Sequence, residues 1–268
     1  MKLDLFAVRS LLFLPASNPR AIARAREAGA DLTVLDLEDA VRPEDKALAR
    51  AAAVDAVREP WPMPVAIRLN HAGSPWHDED VEAVRHSGAD AVVVPRAASA
   101  DEVMAIKEWA ARPTLAMVET AAGVLAAVEI AREAAALIAG TNDLAADLRL
   151  PPDAGREPLQ MALQSIMLAA RAAGIAVFDG VFNGLKDPKG FLEQAASGRR
   201  LGFDGKSLIH PDQIEPCHRA FAPSEAEIER ARRLLAAATG GAERFDDEMI
   251  ERMHVEAAER LLARASQA

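Results

Sequence analysis

The chain has 268 residues, half of them apolar, which is enough for one large domain with a substantial core. Its 31 basic and 41 acidic residues give a formal net charge of −10, which disfavours non-specific nucleic-acid binding because such binding needs a basic surface. No run of 18 or more apolar residues occurs, so we expect no membrane span. The single cysteine, Cys217, excludes disulfides and thiolate zinc sites within one chain. These features together predict a soluble cytoplasmic protein.

Short apolar runs alternate with segments whose apolar residues recur at three- and four-residue spacing, as in NPRAIARAREAG (18–29). The runs are SLLFLP (10–15), DLTVLDLE (31–38), PVAIRLN (64–70), AVVVPR (91–96), TLAMVE (114–119), ALIAGTND (136–143), IAVFDG (175–180) and GKSLIHP (205–211). Such alternation predicts a parallel sheet covered by helices, and eight units close a (β/α)₈ barrel. The alternative, an open doubly wound sheet, would be expected to carry a GxGxxG loop after an early strand, and this sequence has none.

The barrel is predicted to occupy residues 1–238, with an eighth helical region running from Pro211 toward Ala238. A break at TGGAERFDD (239–247) then precedes a final helix over about residues 248–265. We interpret residues 239–268 as a C-terminal helical appendix. It serves either as a packing helix or as a lid over a site in the same or a neighbouring subunit.

Charged residues follow several predicted strands, at the end of a barrel where active sites lie. Asp143 stands in IAGTNDLAADL (138–148) and could be a helix N-cap or a ligand. Glu119 ends the fifth strand, Arg68 ends the third, and barrel closure brings all of them to one rim. Clustered carboxylates repel each other, which either raises a pKa or requires a cation, and Glu119 with Asp143 would suit Mg²⁺ or Mn²⁺. The guanidinium of Arg68 would hold a carboxylate, so the predicted ligand is a 2-oxo acid.

Seven segments, in order, resemble the citrate lyase beta-subunit-like family of the 2-oxo-acid aldolase superfamily, which is related to malyl-CoA and citramalyl-CoA lyases. They are RSLLFLPASNP (9–19), LDLEDAVRPEDK (35–46), RLN (68–70), VVPR (93–96), ETAAGV (119–124), GTNDLAADL (140–148) and FDGKSLIHPDQI (203–214). The resemblance implies a Mg²⁺-containing (β/α)₈ barrel that assembles as a homotrimer or hexamer.

The resemblance also implies roles for particular residues. Glu119 and Asp143 would be the metal ligands, and Arg68 would grip oxaloacetate or glyoxylate. Glu38 and Asp39 would lie beside the metal and its waters, either orienting them or taking part in the chemistry. The small pair Gly140-Thr141 (140–141) would let backbone amides approach the oxo acid.

The C-terminal segment departs from the family pattern. Family members often end in a segment like GKMIDRPH, whose aspartate reaches a neighbouring active site. The corresponding stretch here is DDEMIERMHVEAAERLL (246–262), which places Glu251 in the position of the aspartate and Met253 in that of the proline. Glu251 is therefore the predicted catalytic acid of the lid.

The leading functional hypothesis is a Mg²⁺-dependent carbon–carbon lyase. It would cleave or form a citryl-, malyl- or citramalyl-type thioester, giving a 2-oxo acid and an acyl thioester carried by CoA or an acyl carrier protein. If the same site ran in the other direction, with thioester hydrolysis, the protein would be a synthase or a thioesterase. A metal-dependent aldolase of free 2-oxo acids and a non-catalytic oxo-acid-binding protein remain the alternatives.

Overall fold

The computed structural model describes residues 3–239 and 241–266. Within them, eight parallel strands form a closed barrel in chain order, and β1 pairs with β8. The strands are β1 (Ser10–Pro15), β2 (Leu32–Asp36), β3 (Val65–Arg68), β4 (Ala91–Val94), β5 (Thr114–Val118), β6 (Ala136–Ala139), β7 (Ala176–Asp179) and β8 (Gly205–Leu208). All eight coincide with the predicted apolar runs, so the (β/α)₈ barrel is confirmed.

Helices connect the strands and cover the outside of the barrel. They are α1 (Pro19–Ala25), α2 (Lys46–Ala56), α3 (His77–Arg85), α4 (Ala100–Ala110), α5 (Ala121–Leu125), α6 (Ala127–Glu133), α7 (Thr141–Asp147), α8 (Gln160–Ala173), α9 (Pro188–Leu201) and α10 (Ile214–Phe221). No helix in the described part of the chain is both long enough and apolar enough to cross a membrane.

The barrel interior is filled by the alternate side chains of the strands, as the two-residue period of a strand requires. One buried cluster contains Leu11, Leu32, Val34, Ala66, Val93, Leu115, Met117, Ile138 and Phe178, together with Leu5 and Val8 from the N-terminal segment. Residues 36, 68, 119 and 140 continue the inward-facing positions of β2, β3, β5 and β6. The strand pattern therefore directs these four positions into the barrel mouth.

The chain divides into two compact units, Met1–Ala220 and Phe221–Ala268. The second contains α11 (Glu225–Ala237), an antiparallel hairpin of β9 (Glu243–Phe245) and β10 (Glu248–Ile250), and α12 (Arg252–Ala265). Its own apolar cluster includes Leu234, Phe245 and Ile250. This division falls before the predicted boundary at 238/239, because α11 contributes its buried face to the second core.

Two details of the C-terminal prediction differ from the structure. The predicted eighth helical region is split into α10 and α11, with residues 222–224 between them. The final helix begins at Arg252 rather than near 248, because residues 243–250 form the hairpin. Its strands have three residues each, too few for a recognisable alternation. The assignment of residues 239–268 as a lid stays a prediction.

Candidate active site

A cavity of about 370 Å³ opens at the carboxyl ends of the barrel strands. Six predicted site residues line it: Asp39, Arg68, Glu119, Gly140, Thr141 and Asp143. Asp36, which ends the second predicted strand but was given no role in the predicted site, lines it too. The cavity therefore combines four carboxylates with one guanidinium, which is a suitable environment for a cation and a carboxylate ligand.

Glu119 lies at the base of this cavity and is 1 % exposed. Its Oε1 accepts the backbone N–H of Arg96 at 2.6 Å, whereas its buried Oε2 has no hydrogen-bond partner among the described residues. Burial raises the pKa of Glu119 to about 7 in spite of the Arg96 N–H, and the Asp143 carboxylate adds to the increase. A carboxylate with one oxygen anchored and the other buried without a partner is well placed to bind a cation.

Gly140 gives Glu119 the space that it occupies. A Cβ at position 140 would overlap the Glu119 carboxylate and its Cβ, so only glycine permits this approach. Thr141, which is 8 % exposed, begins α7, and a side chain at position 180 would overlap it in the same way. The ends of β6 and β7 are thus packed tightly around the cavity floor.

Asp143 occupies the first turn of α7, while the N-cap position belongs to Gly140. Asp143 is therefore not the N-cap, and its half-buried side chain lines the cavity. Burial raises its pKa, and the neighbouring Asp39 carboxylate acts in the same direction. These features favour the ligand interpretation over the capping interpretation.

Arg68 is 7 % exposed and lies beside three carboxylates. Its Nε and Nη2 donate to Asp36 Oδ1 and Oδ2 at 2.7 and 2.6 Å, and Asp36 and Arg68 are register partners on β2 and β3. Its Nη1 lies 3.1 Å from Glu38 Oε2 and 3.5 Å from Asp39 Oδ2. The sequence did contain a signal that Asp36 faces the barrel interior, because Leu32, Val34 and Asp36 are alternate residues of one strand and so lie on the same side of it.

Glu38 and Asp39 lie next to Arg68 but in different surroundings. Glu38 is 5 % exposed, and burial together with the nearby Asp39, Glu119 and Asp36 carboxylates raises its pKa to about 8, against the effect of Arg68. Asp39 is exposed and lines the cavity. Glu38 is therefore buried behind the carboxylates that line the cavity, and Asp39 is one of those carboxylates.

The loop that carries these two acids is fixed by Lys46, a residue that the sequence reasoning did not single out. Its buried Nζ donates to the carbonyl oxygens of Leu37 and Glu38, both at 2.7 Å, and to Asn70 Oδ1 at 2.6 Å. Only the tertiary fold brings these acceptors together, so no local pattern could have indicated this role.

Glu251 belongs to the second compact unit and is exposed. It immediately precedes α12, and its backbone N–H donates to His254 Nδ1 at 2.9 Å. Its predicted role as a lid acid stays a prediction.

The donor set at the barrel mouth fits Mg²⁺. Within residues 3–239 and 241–266 no group of three or more His, Cys, Asp or Glu side chains is arranged to hold a metal ion. Mg²⁺, however, commonly takes one or two protein carboxylates and completes its shell with water and substrate oxygens. Glu119 Oε2 and the Asp143 carboxylate would supply that number, and their role as ligands stays a prediction.

The fold and the site define a (β/α)₈-barrel protein with an acidic, arginine-containing pocket at the carboxyl ends of its strands. Residues 9–211 match the HpcH/HpaI aldolase/citrate lyase family, and the chain belongs to this family. The resemblance noted in the sequence is thereby confirmed.

Three related proteins show the range of the family. A (3S)-malyl-CoA thioesterase of Cereibacter sphaeroides is 39 % identical, with 96 % of this chain and 94 % of the relative covered. Citrate lyase subunit beta of Escherichia coli is 36 % identical over 87 % of this chain and 83 % of the relative. The crystal structure of Mycobacterium tuberculosis CitE in complex with magnesium, acetoacetate and coenzyme A is 34 % identical, covers 98 % of this chain and 100 % of that chain, and has a TM-score of 0.86.

Proposed function

We propose that this protein is a Mg²⁺-dependent carbon–carbon lyase of a malyl-, citramalyl- or citryl-type acyl thioester. The observation that carries the proposal is the pairing of an unpartnered Glu119 Oε2 and Asp143 with Arg68 in one cavity. A cation and a guanidinium side by side suit a substrate fragment with an oxygen next to a carboxylate. The M. tuberculosis relative with magnesium, acetoacetate and coenzyme A supports the same ligand classes.

Glu119 and Asp143 would hold Mg²⁺ in this scheme. When bound, Mg²⁺ supplies positive charge that stabilises the negative charge developing on the substrate oxygens. The Arg96 N–H fixes Glu119, and Gly140 leaves room for its carboxylate.

Arg68 would bind the substrate carboxylate and orient the bond that breaks. Phe13 and Met117 also line the cavity, with the Phe13 ring centroid 5.5 Å from the guanidinium carbon and Met117 Sδ 3.8 Å from Nη1. Cleavage of the carbon–carbon bond requires loss of the hydroxyl proton and gain of a proton at the acyl α-carbon. We assign the second transfer to Glu251, supplied by a neighbouring subunit of the predicted homotrimer or hexamer.

Thioester hydrolysis is the second candidate function. The C. sphaeroides thioesterase matches 96 % of this chain, including most of the C-terminal unit, whereas the E. coli citrate lyase subunit matches 87 %. Both candidates use the same substrate class and the same binding residues. They differ in whether free CoA is released.

One assay separates these activities. The protein is incubated with Mg²⁺ and either malyl-CoA or citramalyl-CoA, and the 2-oxo acid, acyl-CoA and free CoA thiol are quantified together. A lyase gives equal amounts of oxo acid and acyl-CoA without new thiol, whereas a thioesterase gives thiol and free hydroxy acid. Release of oxo acid from free malate or citramalate would instead indicate an aldolase that does not use CoA.

A variant pair tests the site assignment in the same assay. Arg68→Ala removes the carboxylate-binding group and should abolish turnover, whereas Arg171→Ala should not. Arg171 also binds a carboxylate, that of Asp204, but at the start of β8 on the opposite face of the barrel. Absence of turnover of every thioester and free acid by the wild-type protein would overturn the enzymatic proposal and favour an oxo-acid-binding protein.

A further inference from the structure

The contact with Asp36 occupies one of the two edges of the Arg68 guanidinium that can bind a carboxylate. An arginine has five N–H donors, and its Nε/Nη2 edge and its Nη1/Nη2 edge can each bind one carboxylate in the plane of the group. Asp36 occupies the Nε/Nη2 edge, with distances of 2.7 and 2.6 Å. The Nη1/Nη2 edge is therefore the one that remains for a ligand.

Asp36 is itself rigidly held. It is 1 % exposed, and its Oδ1 and Oδ2 also accept the backbone N–H groups of Glu38 and Ala40 at 2.8 and 3.0 Å. Its position opposite Arg68 is set by the β2–β3 register. The side chain that orients Arg68 is thus fixed by the sheet and by the loop, independently of any bound ligand.

The remaining edge of Arg68 faces the cavity. Nη1 lies 3.8 Å from Met117 Sδ and 3.5 Å from Asp39 Oδ2, and both of these residues line the cavity wall. Glu38 Oε2 is closer to Nη1, at 3.1 Å, but accepts no hydrogen bond from it. The ring centroid of Phe13 is 5.5 Å from the guanidinium carbon, so the plane of the group is restricted as well.

Arg9 binds Asp31 through Nε and Nη2, as Arg68 binds Asp36, but two other arginine–aspartate pairs use the opposite edge. Arg156 binds Asp179, and Arg171 binds Asp204, in both cases through Nη1 and Nη2. Those arginines use the Nη1/Nη2 edge for a structural contact. Arg68 keeps the same edge for the cavity.

We propose that Asp36 is a positioning residue: by binding the Nε/Nη2 edge of Arg68, it orients the Nη1/Nη2 edge to bind the carboxylate of the 2-oxo acid. The inference rests on the proposed function, because it assumes that Arg68 binds this carboxylate. Asp36 does not touch the substrate; it fixes the plane and the direction of the group that does. A ligand with an amide or ester in place of the carboxylate is rejected, since it cannot accept both N–H groups with compensating charge.

The test uses Asp36→Asn, Arg68→Ala and the double variant, with pyruvate as a stable 2-oxo acid probe. Calorimetry measures Mg²⁺ binding alone and pyruvate binding at saturating Mg²⁺. Asp36→Asn should raise the Kd of pyruvate at least about 10-fold, the size of effect seen when an orienting partner is lost. Its Mg²⁺ affinity should fall by a smaller factor than its pyruvate affinity, because Asp36 is not a proposed metal ligand. In the Arg68→Ala background, Asp36→Asn should have no further effect, because its action passes through Arg68.

Asp204→Asn is the matched control, because Asp204 is also a buried carboxylate that binds an arginine and the backbone N–H of Val177. It should lower stability without changing pyruvate binding. If Asp36→Asn does not fold, Asp36→Glu, which keeps the charge but displaces the carboxylate by one methylene, replaces it in the same cycle.

The inference is overturned if the Asp36 variant binds pyruvate as tightly as the wild-type protein. It is also overturned if the loss is equally large in the Arg68→Ala background, or if Asp204→Asn weakens pyruvate binding as much. A wild-type protein that binds no pyruvate in the presence of Mg²⁺ would instead overturn the proposed function itself.

Discussion

The carboxylate of Glu119 is held by the backbone of Arg96, whose N–H donates to Oε1 at 2.6 Å. Arg96 has a φ of 50°, a left-handed conformation that is unfavourable for a residue with a side chain. The turn after β4 thus adopts a strained backbone that directs its N–H toward the end of β5. The result is a carboxylate with one anchored oxygen and one oxygen left for a ligand.

The first prediction concerns the second proposed metal ligand. Asp143→Asn removes a negative charge from the cavity, so Mg²⁺ binding measured by calorimetry should weaken at least about 10-fold while the circular dichroism spectrum is unchanged. Asp147→Asn is the matched control on the same helix, where the exposed carboxylate accepts the N–H of Ala121. Wild-type Mg²⁺ affinity in the Asp143 variant would remove this residue from the metal site.

The second prediction is a pH dependence of the metal-free protein. The pKa values of Glu119 and Glu38 rise to about 7 and about 8 on folding, from an ordinary value of 4.5. Between these limits the folded state binds more protons than the unfolded state, so stability falls as the pH rises. The melting temperature measured in a chelator should therefore decrease from about pH 5 to about pH 8, and Glu119→Gln should reduce that decrease.

The same shifts predict how metal binding depends on pH. Mg²⁺ requires the carboxylate form of Glu119, so its affinity should increase as the pH rises through about 7 and binding should release protons. Calorimetry in two buffers of different ionisation enthalpy measures this release. A melting temperature independent of pH in the chelated protein, together with no proton release, would contradict the assignment.

Much of the barrel and of its acidic rim could be predicted because both follow from local patterns. Strands buried on both faces give near-continuous apolar runs, and the charged residue that ends a run marks the barrel mouth. Glu119 and Arg68 were found in this way. Asp36 was placed at the end of the second strand but given no role, because position along a strand does not by itself tell which of several neighbouring acids faces the barrel interior.

The third prediction compares two members of a buried charge cluster between β7, β8 and the surrounding helices. Asp179 accepts from Arg156 at 2.9 and 2.5 Å and from Lys206 at 3.1 Å, and Lys206 also donates to the Gly180 carbonyl. Asp179→Asn leaves two cations without their shared anion and should cost about 3–5 kcal/mol of the free energy of unfolding.

Lys206→Met should cost less, about 1–3 kcal/mol, because Asp179 keeps Arg156 and only the Gly180 carbonyl loses its donor. Denaturant unfolding of both variants measures the difference. The reverse order would show that the contact of Lys206 with Gly180 is more important for stability than its pairing with Asp179.

The fourth prediction uses one substitution at two sites of α4. Ala111 ends this helix with a φ of 51°, so Ala111→Gly should raise the free energy of unfolding by about 1 kcal/mol. Ala105 is exposed within the same helix, and Ala105→Gly should lower it by about 1 kcal/mol. Changes of the same sign in the denaturant midpoint would contradict the conformational explanation.

Three features of the structure could not be predicted from the sequence. Lys46 meets the carbonyl groups of Leu37 and Glu38 only after α2 packs on the barrel. The left-handed conformation of Arg96 has no signal in its residue type. The β9–β10 hairpin is too short for its alternation to be recognised, since each strand has three residues.

The pairing of β1 with β8 has a consequence for how the protein is synthesised. Ser10 pairs with Lys206, so the second edge of β1 stays unpaired until β8, the last barrel strand, has been synthesised. Until then both strand edges of the incomplete sheet are open to pairing with other chains. Phe13 and Ser207 come from these two strands and both line the cavity. A nascent chain that lacks β8 therefore has an unfinished ligand pocket, and we expect binding competence to appear only after β8 has been synthesised.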